Sequence, residues 1–303
     1  MKKKIVSLAI LLSFVSLHAQ KVDSLVSSAF RKYQSGDYKG SVEDYTKILK
    51  IRPDYDDACF NRAISYHKMG EYKKALADYT KVITLKPTFD AYLYRGQVYE
   101  NMNKYEKAIA DYSMSIDLNS SFSFAFMIRA NAYFETMKYE AAVTDYEKVI
   151  AMYPKYSLVY FKLGVVYDEM EEIEMAIFSY NLAVRYDSTN AKVYYNRGYD
   201  FDELNKNELA IKDYSKAVAI DTAYSDAYFN RAFIYDKLGK YEEAIADYTK
   251  VITLEQDAAD AYFNRGLAKS RLGRHAASCA DIEKAAKLGD KTARKYYKLN
   301  RKS

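Results

Sequence analysis

Residues 225–258 read SDAYFNRAFIYDKLGKYEEAIADYTKVITLEQDA, and residues 259–267 begin the same phrase again as ADAYFNRGL. The first half places Tyr228, Ala232 and Tyr235 at helical spacing. The second does the same with Tyr241, Ala244, Tyr248 and Val251. Each set marks one face of a helix. Gly239, between them, suits the left-handed backbone that ends one helix and turns the chain into the next. Thirty-four residues therefore read as one helical hairpin.

The tyrosine of the second half recurs at Tyr45, Tyr79, Tyr112, Tyr146, Tyr180, Tyr214 and Tyr248, with Ile282 in its position in a last copy. Every step is 34 residues except one of 33, between Tyr79 and Tyr112. Eight copies start at Val22, Asp56, Phe89, Ser123, Ser157, Ala191, Ser225 and Ala259, and a residue's place is counted from the start of its own copy. Place 8 is always Ala or Gly and place 20 always Ala or Ser. Small residues there let two helices approach closely. Pro53, Pro87 and Pro154 all fall at place 32, where the second helix has to stop. A single hairpin cannot bury its apolar face alone, but stacked neighbours can.

The period and these places resemble the tetratricopeptide repeat family, of the exported bacterial type, across residues 22–292. The resemblance implies an all-α, right-handed superhelical solenoid of eight helix-turn-helix repeats. Residues 292–303, with Ala293, Tyr296, Tyr297 and Leu299 at helical spacing, are expected to form a C-terminal capping helix.

Composition agrees with a copied pattern: 33 Tyr and no Trp. Ten Gly and three Pro are too few for a turn-rich β protein or a disordered linker. Lys2, Lys3 and Lys4 precede the apolar run Ile5–Leu17, and Ala19 offers a small residue before Gln20. Residues 1–19 therefore read as a signal peptide cleaved near Ala19-Gln20, rather than as an anchoring helix. The run is too short to span a bilayer, so no integral membrane span is expected in the mature chain. Localisation is expected to be periplasmic or secreted. Without the leader the chain is nearly neutral, which gives no reason to expect nucleic acid as partner. Cys59 and Cys279 lie six copies apart and are expected to remain free thiols in small apolar slots.

Chemistry is sparse. Beyond the leader only His67 and His275 remain, and no CxxC, HExxH, GxSxG, GxGxxG or phosphate-loop pattern occurs. No enzyme, cofactor or metal is expected. Place 7 carries Arg62, Arg95, Arg129, Arg197, Arg231 and Arg265, and place 23 carries Asp78, Asp111, Asp145, Asp213, Asp247 and Asp281. The fifth copy has Leu163 and Ser179 instead and lacks both charges, so pairing within each copy is expected. Ser28 faces Asp44 in the first copy as an exception.

The family resemblance implies that places 2, 5, 9, 12 and 13 of the first helices line a concave groove. Carried across, its apolar contacts are Phe60, Phe124, Met127, Phe134, Phe161, Tyr195, Tyr199, Phe229 and Phe233. Its carboxylates are Glu100, Glu135, Asp168, Glu169, Asp202, Glu203 and Asp236, while His67, Lys68 and Arg271 mark its ends. Aromatics and Met beside charge are what binding surfaces concentrate. The expected function is a non-catalytic scaffold binding a protein or peptide in this groove, the partner basic with apolar anchors. Phe161, Tyr195 and Phe229 are the expected anchors. The alternative is a structural subunit of an envelope assembly that uses edges or convex surfaces and leaves the groove idle.

Overall fold

The computed structural model describes residues 20–300, with side chains described to 296. Among them are 17 helices and no strand. The signal peptide expected at 1–19 lies outside the described residues.

The chain divides into two compact units, up to Met152 and from Tyr153. The first holds α1 (20–34), α2 (Tyr38–Ile51), α3 (Asp56–Lys68), α4 (Tyr72–Leu85), α5 (Phe89–Asn101), α6 (Tyr105–Leu118), α7 (Ser123–Glu135) and α8 (Tyr139–Met152). The second holds α9 (Ser157–Glu169), α10 (Ile173–Tyr186), α11 (Ala191–Glu203), α12 (Asn207–Ile220), α13 (Ser225–Lys237), α14 (Tyr241–Leu254), α15 (Ala259–Arg271), α16 (His275–Leu288) and α17 (Lys291–Asn300). The last of these falls where the capping helix is expected. Odd and even helices pair as the first and second arms of eight hairpins, each hairpin stacked on the next within its unit.

Local rules explain the regularity. Place 15 has positive φ in every hairpin, whether it is Gly36, Gly70, Gly239 or Gly273, or Asn103, Met137, Glu171 or Asn205. Met137 at 57° and Glu171 at 60° carry real backbone strain there, since a Cβ crowds the following carbonyl in that region. The 33-residue step is a shorter loop: three residues join α4 to α5, where four join α2 to α3.

The core of each of the first seven hairpins is its place-24 tyrosine seated on the small residue at place 8, with Ile282 in that position in the eighth. Tyr79, Tyr112, Tyr180, Tyr214 and Tyr248 are all 0% exposed. At Gly96 a Cβ would come within 2.5 Å of the Tyr112 ring, so that ring has closed down on the space an alanine would need.

The Arg–Asp pairing holds in all six copies that carry both residues. Arg197 is representative: Nε donates to Asp213 Oδ2 at 2.6 Å and Nη2 to Oδ1 at 2.8 Å. The third guanidinium nitrogen, Nη1, donates to Asn181 Oδ1 of the preceding copy at 2.7 Å. Within each unit the same third bond reaches back from Arg62 to Thr46, Arg95 to Thr80, Arg129 to Ser113, Arg231 to Ser215 and Arg265 to Thr249. Places 4 and 11 lie one turn to either side of place 7 on the same helix face. Their rings therefore sandwich the guanidinium, as Tyr194 and Phe201 do for Arg197 at 5.5 and 5.9 Å. One side chain thus ties two helices of a hairpin to each other and to the hairpin before.

In the first copy Ser28 faces Asp44 as expected, but the carboxylate is not left without cations. Asp44 accepts from Ser28 at 2.7 Å, and also from Lys32 at 2.6 Å and Lys47 at 2.8 Å. Lys32, at place 11, reaches the spot a place-7 arginine fills elsewhere. Burial pushes the Asp44 carboxyl up, but these three bonds outweigh it and hold it at about 2.

Both cysteines are free. Cys59 is buried against Val82 and Ala91 as expected. Cys279 is exposed instead, because α17 packs over Ile282 and Ala285 and leaves it outside. No helix among the described residues is long and apolar enough to cross a membrane.

Candidate functional site

In the first unit α3 touches α5, and in the second α11 touches α13 and α13 touches α15. Among the described residues no comparable contact joins successive second helices. These first helices therefore approach one another across the stack, and the candidate residues at places 2, 5, 9, 12 and 13 fall on one face of them.

The structure sorts them into three groups by depth. Phe60, Phe161, Tyr195 and Phe229, all at place 5, are half-buried. Each ring packs on the place-24 tyrosine of its own hairpin: Phe60 on Tyr79, Phe161 on Tyr180, Tyr195 on Tyr214 and Phe229 on Tyr248, with centroids 5.5–6.0 Å apart. These rings are the roof of the core. Met127 and Phe134 are likewise half-buried, Phe134 against Tyr139.

Phe124, Tyr199 and Phe233 are different: they are 38%, 51% and 51% exposed. Phe30, at place 9 like Tyr199 and Phe233, matches those two at 52% and was not singled out by sequence. Its signal was simply an aromatic at the same place as Tyr199 and Phe233. In the first unit Phe30, Tyr33, Ile64 and Tyr94 line a cavity of about 380 Å³, with Asn61, Gln97, His67 and Lys68 among its polar walls. Burial, and then the Lys68 charge, hold His67 below its ordinary value, and its Nε2 lies 2.7 Å from Asn101 Nδ2.

The carboxylates do not form one uniform row. Glu135, Glu169 and Glu203, at place 13, are exposed. Glu100, Asp168, Asp202 and Asp236, at place 12, are half-buried and engaged. Glu100 accepts from the Tyr112 hydroxyl and Asp168 from that of Tyr180. Asp236 meets Arg271 of the next hairpin at 3.8 Å. Asp202 is pushed up by burial, with Lys237 of the next hairpin pulling it back. Tyr112 and Tyr180 of the hairpin cores thus extend their hydroxyls to the place-12 carboxylates of the first helices.

One residue was missed altogether. Asp200 on α11 is only 4% exposed and lies beside Asp168, whose charge bears on it. No group of three or more metal-ligating side chains occurs among the described residues.

Comparison with known proteins fits this geometry. A model described as tetratricopeptide repeat matches residues 56–89 and 89–122, and another so described matches 158–190 and 259–288. A model described as TPR repeat matches 31–70, 130–171, 198–239 and 234–273. The chain belongs to the tetratricopeptide repeat family. The crystal structure of MamA shares 27% identity with it at a TM-score of 0.53, covering 57% of this chain and 94% of MamA. The C-terminal part of a TPR repeat-containing protein from Cytophaga hutchinsonii superposes at 0.70 with 17% identity, covering 78% of this chain and 97% of the other. YrrB, described as a TPR protein with an unusual peptide-binding site, superposes at 0.56 with 21% identity, covering 62% and 97%. The last two likenesses are of fold alone. No curated protein matches the chain. Tetratricopeptide repeat proteins are generally non-catalytic scaffolds, and the family supports protein–protein interaction as the work of this chain.

Proposed function

We propose that this chain is a non-catalytic scaffold that holds a segment of another protein against the inner face of its first helices. The observation that carries this reading is the pair Tyr199 and Phe233, each about half exposed at the same place of neighbouring helices α11 and α13. Large aromatics left in water at a repeated spacing, with exposed Glu169 and Glu203 beside them, suit a segment bearing Lys or Arg between apolar anchors. In YrrB a structure of this fold carries a peptide-binding site. The half-buried Phe161, Tyr195 and Phe229 support these anchors from beneath.

The test is a crosslinking pull-down followed by kinetics on the captured partner. Tyr199→Ala and Phe233→Ala are each expected to speed dissociation, at a cost of about 1–3 kcal/mol per anchor. Glu169→Gln and Glu203→Gln are expected to slow association and flatten its salt response. A partner held at full affinity by the double Ala variant would end the groove reading. The assembly-subunit alternative has its own observation, Phe178 at 59% and Met175 at 43% exposure on α10. Loss of capture by Phe178→Ser, with Tyr199→Ala neutral, would favour it.

The leader read in residues 1–19 assigns this work to the periplasm or the medium. Fractionation with mass analysis of the mature N-terminus is expected to find it at Gln20. An unprocessed chain in the cytosol would reject export.

A further inference from the structure

Place 10 is buried in every first helix except that of the first copy, where Arg31 is exposed. It holds Ser65 in the second copy and Val98, Ala132, Val166, Ile234 and Ala268 in five others, all buried. In the sixth copy it holds Asp200, equally buried. Nothing in the repeat requires a carboxyl where its neighbours put methyl groups, and burying one without a cation is unfavourable.

What faces Asp200 is a second carboxyl. Asp168, from the end of α9, lies within hydrogen-bonding reach of it. Two carboxylates can only accept, so a bond between them requires one of the pair to hold a proton. On its other side Asp168 accepts from the Tyr180 hydroxyl of α10, and that hydroxyl accepts from Asn196 Nδ2 of α11 at 3.2 Å. With that proton in place the bonds run from α11 through α10 to α9 and return to α11. Asp168 Oδ1 and Asp200 Oδ2 are both buried, and among the described residues no N–H or O–H donor reaches either. The remaining titratable groups that bear on the pair are Glu169 of α9 and Glu203 and Tyr199 of α11, none of them a cation.

We propose that Asp168 and Asp200 form a proton-operated latch in the second unit, which holds α11 against α9 and α10 while one proton is shared and loosens it when that proton leaves. Burial, then the charge of Asp168, pushes Asp200 up to about 8, and burial pushes Asp168 up to about 6. Both carboxyls are raised above their unfolded values. Their stabilising contribution is thus complete below the ordinary carboxylate range and is lost as pH rises through about 6 and then about 8. Above that window two like charges lie buried in contact. Phe161 on α9 and Tyr195 and Tyr199 on α11 move with the joint, so the latch would tune the groove. That consequence rests on the groove reading; the latch itself does not.

The test uses the mature chain alone, without a partner. Carboxyl-carbon NMR is expected to show two aspartates titrating in coupled steps above the ordinary range. Hydrogen exchange corrected for its intrinsic pH dependence is expected to show α11 opening about tenfold more for each pH unit over the one-proton window, with α15 as an internal control. Asp200→Asn keeps a donor facing Asp168 and cannot ionise, so it is expected to stay latched and abolish the pH dependence. Asp200→Val, the residue type of the third and fifth copies, is expected to flatten it too. If Asp200→Asn follows the same pH course as the parent, or if neither aspartate titrates above the ordinary range, the latch is overturned. That failure would leave the groove reading standing, and a groove that captured nothing would leave the latch standing.

Discussion

Asp213→Ala is expected to destabilise the second unit by about 3 kcal/mol, read from urea unfolding. Asp213 is 5% and Arg197 13% exposed at the side chain, so losing the carboxylate leaves a guanidinium held among rings with little water. Asn181 and the flanking aromatics Tyr194 and Phe201 remain, but a neutral amide and two ring faces cannot replace a bidentate carboxylate. The fifth copy shows the outcome when both charges are absent. Leu163 and Ser179 occupy the two places and both are buried, in a hairpin as regular as the others. Arg197→Leu with Asp213→Ser is therefore expected to recover most of the loss, giving a coupling of about 2 kcal/mol in a double-mutant cycle. Simple additivity of the two single changes would show that the pair contributes nothing as a pair.

This ladder was legible in the sequence because two places co-vary across copies, Arg with Asp and Leu with Ser. Periodicity told which helix face a residue occupies, and the eight hairpins with their left-handed place 15 followed from it. Depth was not legible in the same way. Phe161 and Tyr199 share a face, yet one lies on the Tyr180 ring and the other stands in water, because place 5 sits over the hairpin's own core and place 9 does not. The place-12 carboxylates read as free groove charge because their partners come from place 24 of the same hairpin, on the second helix, or from place 13 of the next. Asp200 had a signal of its own: a lone carboxylate at a place that holds Val, Ala or Ile in five of the eight copies. The even period likewise gave no sign that the chain divides after Met152.

The largest single effect is expected at a place-24 tyrosine. Tyr248 is fully buried, with the Phe229 ring edge-on at 5.5 Å above it. Tyr248→Ala removes the ring that fills the space between Ala232, Ala244 and Val251, and the surrounding helices cannot close over so large a void. A loss of about 3–5 kcal/mol is expected, enough to unfold the hairpin ahead of its neighbours. Tyr248→Phe should do the reverse. The hydroxyl is buried without a hydrogen-bond partner, so removing it relieves a desolvated polar group and leaves the ring in place. A gain of up to about 1 kcal/mol is expected. Tyr146 supplies the contrast, because its hydroxyl donates to Asn131 Oδ1 at 2.7 Å. Tyr146→Phe orphans that acceptor and is expected to cost about 1 kcal/mol in the first unit. The two Phe variants thus separate ring from hydroxyl at equivalent places of one repeat. Thermal and urea unfolding of both would decide it. Equal losses at Tyr248 and Tyr146 would mean that the Tyr248 hydroxyl is bonded after all, and that the inner face of the second unit is wetter at its base than the burial of these rings implies.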